Sequence, residues 1–419
     1  MVGTIARKEI AANLLSYKFF IVILLATVLL LTSFFVLTED FKARRADYEL
    51  IRAKPGEPVA VLPPNPLSIF AKGLDEAMTR SFEVSVIGIN VRAGQSSGNP
   101  IFDFFPVPDY VYVVKVILSL VALLFGFDQV SRERENGTLR LMLSNPVSRA
   151  TVLAGKWLGN FASLAVPFVL ISLLGFAVMH FDPGIGFGTD GTVRFLILVA
   201  VALVYIGLFL SLGIFVSALT RRSASTLVVL LLLWTLLVFI LPNLGTLIAR
   251  QVVDVPSVKA LSEKRQQIWT SEVLTQITEQ RAAGFRGDAD IRRRHLDAIN
   301  DRLDKLESDY RVKFDRLVGL AKAINRLSPS AGFVYAETEM AGTGIGEESR
   351  LKSEIIRYKD AVLQEMTRGT KQPSSFSYRY RTIGGVLAEG ALLDFAGLAA
   401  WAIVLFALGF VAFIRYDVR

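Results

Sequence analysis

Few residues in this chain are of types that could do chemistry where the sequence puts them. Lys115 and Asp394 are ionisable groups inside otherwise apolar stretches, each near the same end of its stretch. Charge away from water is expensive and usually functional. The two are therefore expected to pair; the alternative is that Lys115 alone reaches back to the polar boundary. Met179 adjoins His180, and a thioether beside an imidazole could hold copper. With no cysteine and one other histidine, His295, two donors are too few, and an interfacial pair is the better reading. The phosphate loop G-x-x-x-x-G-K-[ST] is missing: Gly155-Lys156-Trp157 lacks both the earlier glycine and the hydroxyl for magnesium. Gly342-Thr-Gly-Ile-Gly346 follows no strand and reads as a flexible hinge. No nucleotide-binding or catalytic motif stands out, so the chain is not expected to be an enzyme, nor to carry a cofactor or metal of its own.

The residues that could work on a partner are concentrated in 128–151. Arg132, Glu133, Arg134 and Glu135 form a mixed-charge surface, closed by the helix stop Asn136-Gly137. Thr138 can open a second turn of helix whose Leu139, Met142 and Leu143 share a face. Ser144-Asn-Pro146 ends it, and Ser148 can cap the helix that follows. An apolar face on lipid with charge turned to the cytosol is the geometry of an interfacial coupling helix. An ordinary solvated loop would need neither feature.

Position depends on the elements around this segment. The chain is 52% hydrophobic over 419 residues, barely above a soluble protein, so the mean decides nothing. The distribution decides. Apolar residues are bunched in runs of roughly 18–25, enough to cross a bilayer as helix. The six are 19–37, 110–127, 152–178, 195–218, 226–248 and 391–414. Arg7, Lys8 and Lys18 precede the first. Arg132, Arg134, Arg140 and Arg149 fall between the second and third, Arg221 and Arg222 between the fourth and fifth, and Arg415 and Arg419 after the last. Six spans put all four basic sets on one side, so both termini are expected in the cytoplasm. Much of the net charge of +8 is this bias, and nucleic acid is not needed to explain it. The localisation expected is the inner (plasma) membrane.

Residues 1–18 read as a cytoplasmic interfacial segment. Its apolar side, Val2, Ile5, Ala6 and Ile10, is interrupted by Glu9 and Asn13. Residues 38–109 form a first outer loop of mixed character. It opens with a charged helical stretch, 39–52, and includes a strand at 81–91 and a turn-rich 94–100. Phe102, Phe104, Phe105, Tyr110 and Tyr112 crowd the entry to the second span. Residues 249–389 read as an outer helical domain, and 415–419 as a cytoplasmic tail. In that domain Leu296, Leu303, Tyr310, Leu317 and Ile324 hold one heptad position, while Ile299, Leu306, Lys313 and Leu320 hold the other. This is a coiled-coil-like seam flawed at Lys313. A shorter helix precedes it, making a hairpin that either shields the outer mouth or docks an extracytoplasmic partner. A further helix is expected near 347–368, with Leu351, Ile355, Tyr358 and Val362 on one face. Small residues recur four apart at Gly155, Gly159 and Ser163, at Gly207 and Ser211, and at Gly213 and Ser217. That spacing lets helices approach closely, within the chain by default. Pro242-Asn243 could kink the fifth span or break it into a re-entrant turn. The fold class expected is an all-α polytopic membrane protein with six transmembrane helices and both termini inside, plus a mainly helical extracytoplasmic domain.

The run Phe127-Asp-Gln-Val-Ser-Arg-Glu-Arg-Glu-Asn-Gly-Thr-Leu-Arg-Leu-Met-Leu-Ser-Asn-Pro-Val-Ser-Arg149, followed by Gly155-Lys-Trp-Leu-Gly159, resembles the signature of ABC-2-type transporter permeases. It is most similar to the group labelled copper-enzyme-maturation permeases, within a subset with enlarged outer domains. The similarity covers the N-terminal segment and the order of all six spans. It implies a dimer with a second permease copy or paralogue, and two cytoplasmic ATPase subunits that bind the ATP and magnesium. It also implies that Arg132, Glu133, Arg134, Glu135, Gly137 and Thr138 couple to the ATPase, and that residues 1–18 form the family's amphipathic elbow. The copper label finds no support in six methionines, two histidines and no cysteine.

Two functions follow. The chain is either an exporter permease for a lipid-like or amphipathic cargo, since its spans are too apolar for an ion route, or a relay that carries ATPase strokes to the outer helical domain and an envelope partner without moving a substrate. A receptor would need a cytoplasmic signalling domain, and an intramembrane enzyme would need catalytic groups at depth.

Overall fold

The computed structural model describes residues 1–52, 58–79, 81–85, 88–92, 107–138, 147–284, 288–367 and 374–415. Its six helices long and apolar enough to span a membrane are Tyr17–Arg52, Tyr110–Glu135, Arg149–His180, Thr189–Leu219, Ser223–Val252 and Ile383–Ile414. The first apolar run and the charged stretch after it are one helix of 36 residues, because neither glycine nor proline interrupts them. Ion pairs hold its polar end: Lys42 to Asp182 at 2.8 Å, and Arg44 to Asp40 at 3.0 Å and to the buried Asp75.

The fourth and second spans form the centre. In the fourth, 72% of the most apolar window is buried, against 28% in the first. Glycines let these two helices touch. A Cβ on Gly126 would stand 2.9 Å from the Leu210 carbonyl oxygen and 3.0 Å from the Gly213 Cα. Gly207 faces Trp157 and Phe161, and Trp157 Nε1 donates to Ser211 Oγ at 2.9 Å.

Two spans contain a π-helical turn, Val113–Leu118 and Leu236–Ile240, and the sixth is kinked within Leu387–Ala391, where Gly390 sits at φ +119. Such turns free carbonyls from the helical ladder. Here side chains take some of them. Tyr205 Oη donates to the Lys115 carbonyl at 3.2 Å, and Ser328 Oγ and Ser330 Oγ both donate to that of Leu237 at 2.7 Å. The turn Leu236–Ile240 precedes Pro242, and the helix continues to Val252 instead of re-entering.

The re-entrant element lies elsewhere. Helix Pro329–Ala341 packs among the fourth and sixth spans, nearly all of it buried. Its Phe333 stacks on Tyr205 of the fourth span at 4.3 Å, and Arg194 donates to its Met340 carbonyl at 2.8 Å. The stretch expected to form one outer domain, 249–389, is therefore divided. Residues 328–419 belong with the membrane body, whereas 240–327 make a separate compact unit. The division follows composition: 330–341 is small and apolar apart from its glutamates, and the helices on either side are highly charged.

Gly342 to Gly346 is not a flexible hinge. Gly342 caps the buried helix at φ +76, Asn65 Nδ2 donates to the Ala341 carbonyl, and Thr343 Oγ1 donates to that of Ala71 at 2.8 Å. A Cβ on Gly344 would meet Glu339 at 2.7 Å. Beyond this turn, helix Ile345–Thr367 buries Leu351, Ile355 and Val362, and Leu351 and Ile355 join a core with Ala60, Leu62, Met78 and Tyr378. The single strand expected at 81–91 is a hairpin, β2 (Ser81–Ser85) against β3 (Gly88–Arg92), with β1 (Val59–Ala60) antiparallel to β2. The expectations at 94–100 and 102–105 lie outside the described residues.

In the separate unit, helix Asp288–Asn325 packs against both Leu241–Val252 and Val258–Ala282. The apolar stripe passes the flaw at Lys313 by drifting one place. Lys313 is exposed, and Phe314 stacks on Tyr310 at 6.0 Å, as a straight helix of 3.6 residues per turn requires. Gly245 closes one end, donating from its backbone N to Asn325 Oδ1 at 3.0 Å.

Candidate coupling site

The charged end of the second span is a short helix, Ser131–Glu135, with Glu133 and Arg134 half-buried and Arg132 and Glu135 exposed. Too short to be stable alone, it is held by side chains from three other elements, the third, fourth and fifth spans. Its backbone start is capped from the fourth span: Ser217 Oγ accepts from both the Val130 and Ser131 N–H at 3.0 Å. Cap hydroxyls usually come from the same chain segment; this one ties two spans together.

Glu133 meets Lys156 of the third span at 2.7 Å, and the same ammonium meets Glu9 at 3.1 Å. Lys156 is only 5% exposed, so both carboxylates balance one enclosed cation. Glu9 belongs to the N-terminal helix Val2–Leu14. Asn13 of that helix donates to Asn160 Oδ1 at 2.9 Å and to Ser163 Oγ at 3.1 Å. The two residues that spoil its amphipathic pattern thus face the third span. Gly155 and Gly159 make room, since a Cβ there would stand 2.7 Å from Ile5 and 2.6 Å from Glu9. The small-residue stripe receives the N-terminal helix.

Arg134 and Glu135 grip the turn between the fourth and fifth spans. Arg134 donates to the Thr220 carbonyl at 2.7 Å and to that of Ala218 at 3.2 Å. A cation thus meets the free carbonyls and negative dipole end of the fourth span. Glu135 Oε2 accepts from Ser223 N and Oγ, both at 3.2 Å, at the positive start of the fifth. Arg132 points away, 68% exposed, with Asp128 at 3.6 Å. Gly137, at φ +72, and Thr138 are exposed beside it; Thr138 Oγ1 donates to the Glu133 carbonyl at 3.2 Å. The expected second turn with Leu139, Met142 and Leu143 falls outside the described residues.

The six residues expected to contact an ATPase therefore divide. Glu133, Arg134 and Glu135 bind the chain's own helices, while Arg132, Gly137 and Thr138 remain on the surface. Sequence reasoning missed Lys156, Glu9, Ser217 and Ser223. Lys156 could have been suspected as a charge inside an apolar run.

The expected partner of Lys115, Asp394, is not the charge that acts on it. The charge that reaches Lys115 is Asp109, at the cap of its own helix. Asp394 is buried in the sixth span, beside Gly332 of the re-entrant helix. Met179 is buried while His180 stacks on Phe176 at 5.6 Å, so the adjacent pair diverges.

The family model described as ABC-2 family transporter protein matches residues 3–418. Two relatives, each named probable ABC transporter permease protein NosY, come from Stutzerimonas stutzeri and Pseudomonas aeruginosa. Each is 32% identical over 102 residues, which is 24% of this chain and 36% of the relative. The match thus spans about a third of those proteins' length. From a family match running almost end to end, the chain belongs to the ABC-2 transporter family.

Proposed function

We propose that this chain converts ATPase strokes into movement of its spans through the helix Ser131–Glu135, as the export permease of an ABC complex. The observation that carries the reading is the Lys156 clamp: one enclosed ammonium joins that helix, the third span and the N-terminal helix. A push on Ser131–Glu135 is passed to the third span through Glu133, to the fourth through Ser217 and Arg134, and to the fifth through Glu135. Two cytoplasmic ATPase subunits would dock on Arg132, Gly137 and Thr138 and would hold the ATP and magnesium; this chain would contribute no catalytic residue. A second copy or a paralogue would complete the membrane body in the inner membrane. Both termini would be cytoplasmic, as the basic residues at that end of the bundle favour.

The cargo proposed is lipid-like or amphipathic. Of the three charges buried in the spans among the described residues, Lys156, Arg194 and Asp394, both cations are occupied by internal partners. The relay reading is favoured by one feature, the separate unit 240–327 with its 38-residue helix. An extracytoplasmic partner would dock there.

Co-purification tests the docking. Arg132→Glu should release the ATPase, and Glu133→Gln should leave it bound but poorly coupled. Retention of the ATPase by Arg132→Glu would count against this surface. Replacing 258–311 by a short linker separates the two functions. A relay loses its output completely, whereas an exporter keeps ATP-dependent movement of a fluorescent lipid between leaflets.

A further inference from the structure

The re-entrant helix carries a carboxyl that the coupling scheme does not use. Glu337 is fully buried, and among the described residues neither of its oxygens has a hydrogen-bond partner. Tyr110 Oη and Ser172 Oγ are buried in the same way. They face each other without completing a bond, and Tyr110 lies within electrostatic reach of Glu337. Helix Pro329–Ala341 packs against the π-helical turn Val113–Leu118 of the second span, just beyond Tyr110. Tyr110 thus links two further elements' unpartnered buried oxygens, Glu337 of the re-entrant helix and Ser172 of the third span.

The neighbouring cations are directed elsewhere. Arg194 of the fourth span donates to the Met340 and Arg381 carbonyls and pairs with Asp190 at 2.6 Å. Arg381 is taken by Glu339, Glu347 and Glu389. Lys115 answers to Asp109, which itself accepts from the Tyr112 and Lys72 N–H and adds negative potential at Glu337. A bare carboxylate cannot persist in such a place. Positive charge must accompany it, and hydroxyl oxygens are the donor set left to share that charge.

We propose that Glu337, Tyr110 and Ser172 form an intramembrane site for a small monovalent cation, filled by a proton or by sodium. The proposal rests on the transport reading only where ATP is concerned. Its mobile part is the re-entrant helix, which touches the π-helical turn of the second span and the kink of the sixth and is hydrogen-bonded to the π-helical turn of the fifth. When the helix is seated the cation is enclosed, and when it shifts the carboxylate meets water and releases the cation.

The test begins without nucleotide, on the full chain in lipid nanodiscs. Infrared difference spectra of wild type against Glu337→Gln should show the C=O stretch of a protonated carboxylic acid at neutral pH if a proton fills the site. If sodium does, the spectra show an ionised carboxylate, and NaCl raises the melting temperature while choline chloride does not; Glu337→Gln abolishes the rise. Tyr110→Phe keeps the ring and should weaken either signature. An ionised Glu337 with no sodium dependence overturns the proposal. A second arm adds ATP to the complex with its ATPase and a pH-sensitive dye. Proton release that vanishes in Glu337→Gln supports the proton form. A dye signal identical in the two overturns it for a proton-filled site, and failure of ATP coupling in the wild type would count against the transport reading alone.

Discussion

Replacing Lys156 with methionine keeps the length of the side chain and removes the one cation between Glu9 and Glu133. Those carboxylates are only 13% and 22% exposed, so each loses its partner before it gains full hydration. Removing one member of a buried ion pair costs about 3–5 kcal/mol. The partial exposure places the cost near the lower end, about 3 kcal/mol, or on the order of a hundredfold in the population of the clamped arrangement. Glu133→Gln alone should cost about 1 kcal/mol, because Lys156 keeps Glu9 and a charged hydrogen bond becomes a neutral one. The triple change Glu9→Gln, Glu133→Gln, Lys156→Met removes every unpaired charge, so it should be more stable than Lys156→Met alone. The assay is a double-mutant cycle on thermal unfolding in detergent, run beside ATPase stimulation by the permease. Lys156→Met should bind the ATPase normally and stimulate it weakly. Additive losses, with a triple variant no more stable than the single, would show that the three groups do not share an energy term, and the clamp would fail as an explanation.

Four further outcomes follow from other contacts. Ser217→Ala uncaps two backbone N–H groups at once and should cost about 1–2 kcal/mol, seen as faster hydrogen exchange in Ser131–Glu135. Gly245→Ala would set a Cβ 2.2 Å from Asn325 Oδ1 and 2.6 Å from the Ala321 carbonyl oxygen, so limited proteolysis should open unit 240–327 and leave the membrane body intact. Reversing Lys115 should not be rescued by reversing Asp394, as growth or ATPase stimulation of the double variant would show. Hydrogen bonds to Glu279 and then Glu272 hold the His295 imidazolium above its usual range, while His295 and Arg294 keep Glu279 ionised. The stabilisation is complete below the ordinary histidine pKa of 6.5 and is lost as pH rises through the raised value. Protection of Val258–Ala282, relative to the intrinsic base-catalysed exchange rate, should therefore fall with alkalinity in wild type and not in His295→Asn.

Long-range composition made the spans legible, because a bilayer demands a length of apolar helix that nothing else in the chain provides. The heptad was legible for a similar reason, since one face repeats over many turns. What sequence obscured was which charges look inward. Glu133 and Glu135 alternate with Arg132 and Arg134, and such alternation reads as a solvated surface; only the positions of Lys156, the Thr220 and Ala218 carbonyls and Ser223 reveal that three of the four hold the chain's own helices. The re-entrant helix was hidden by its own glutamates. Residues 330–341 are rich in Ala, Gly and other small or apolar types, but Glu337 and Glu339 made them look like part of the charged domain. Pro242 drew attention as the helix breaker, yet the irregularity of that span is a π-helical turn over Leu236–Ile240, which leaves no local residue signature.

The two ends of the molecule are joined through that irregularity. Ser119 and Trp234 link the second and fifth spans by an indole N–H donating to a hydroxyl at 2.9 Å, between the coupling helix at one end and the re-entrant helix at the other. Both spans carry a π-helical turn near this contact, and both turns present carbonyls to side-chain hydroxyls instead of to the helix ladder. Side-chain hydroxyls can exchange such carbonyls at modest cost, whereas an unbroken ladder cannot. A stroke at Ser131–Glu135 that rotates the second span would change the register at Val113–Leu118 before it bends any regular helix. Ser119→Ala removes the hydroxyl that meets Trp234 and should uncouple the ends without weakening the clamp. ATPase binding and exchange in Ser131–Glu135 would be unchanged, while exchange in Pro329–Ala341 would no longer respond to ATP. A variant whose re-entrant helix still responded would place the connection elsewhere, with the third span, through Lys156, as the remaining route.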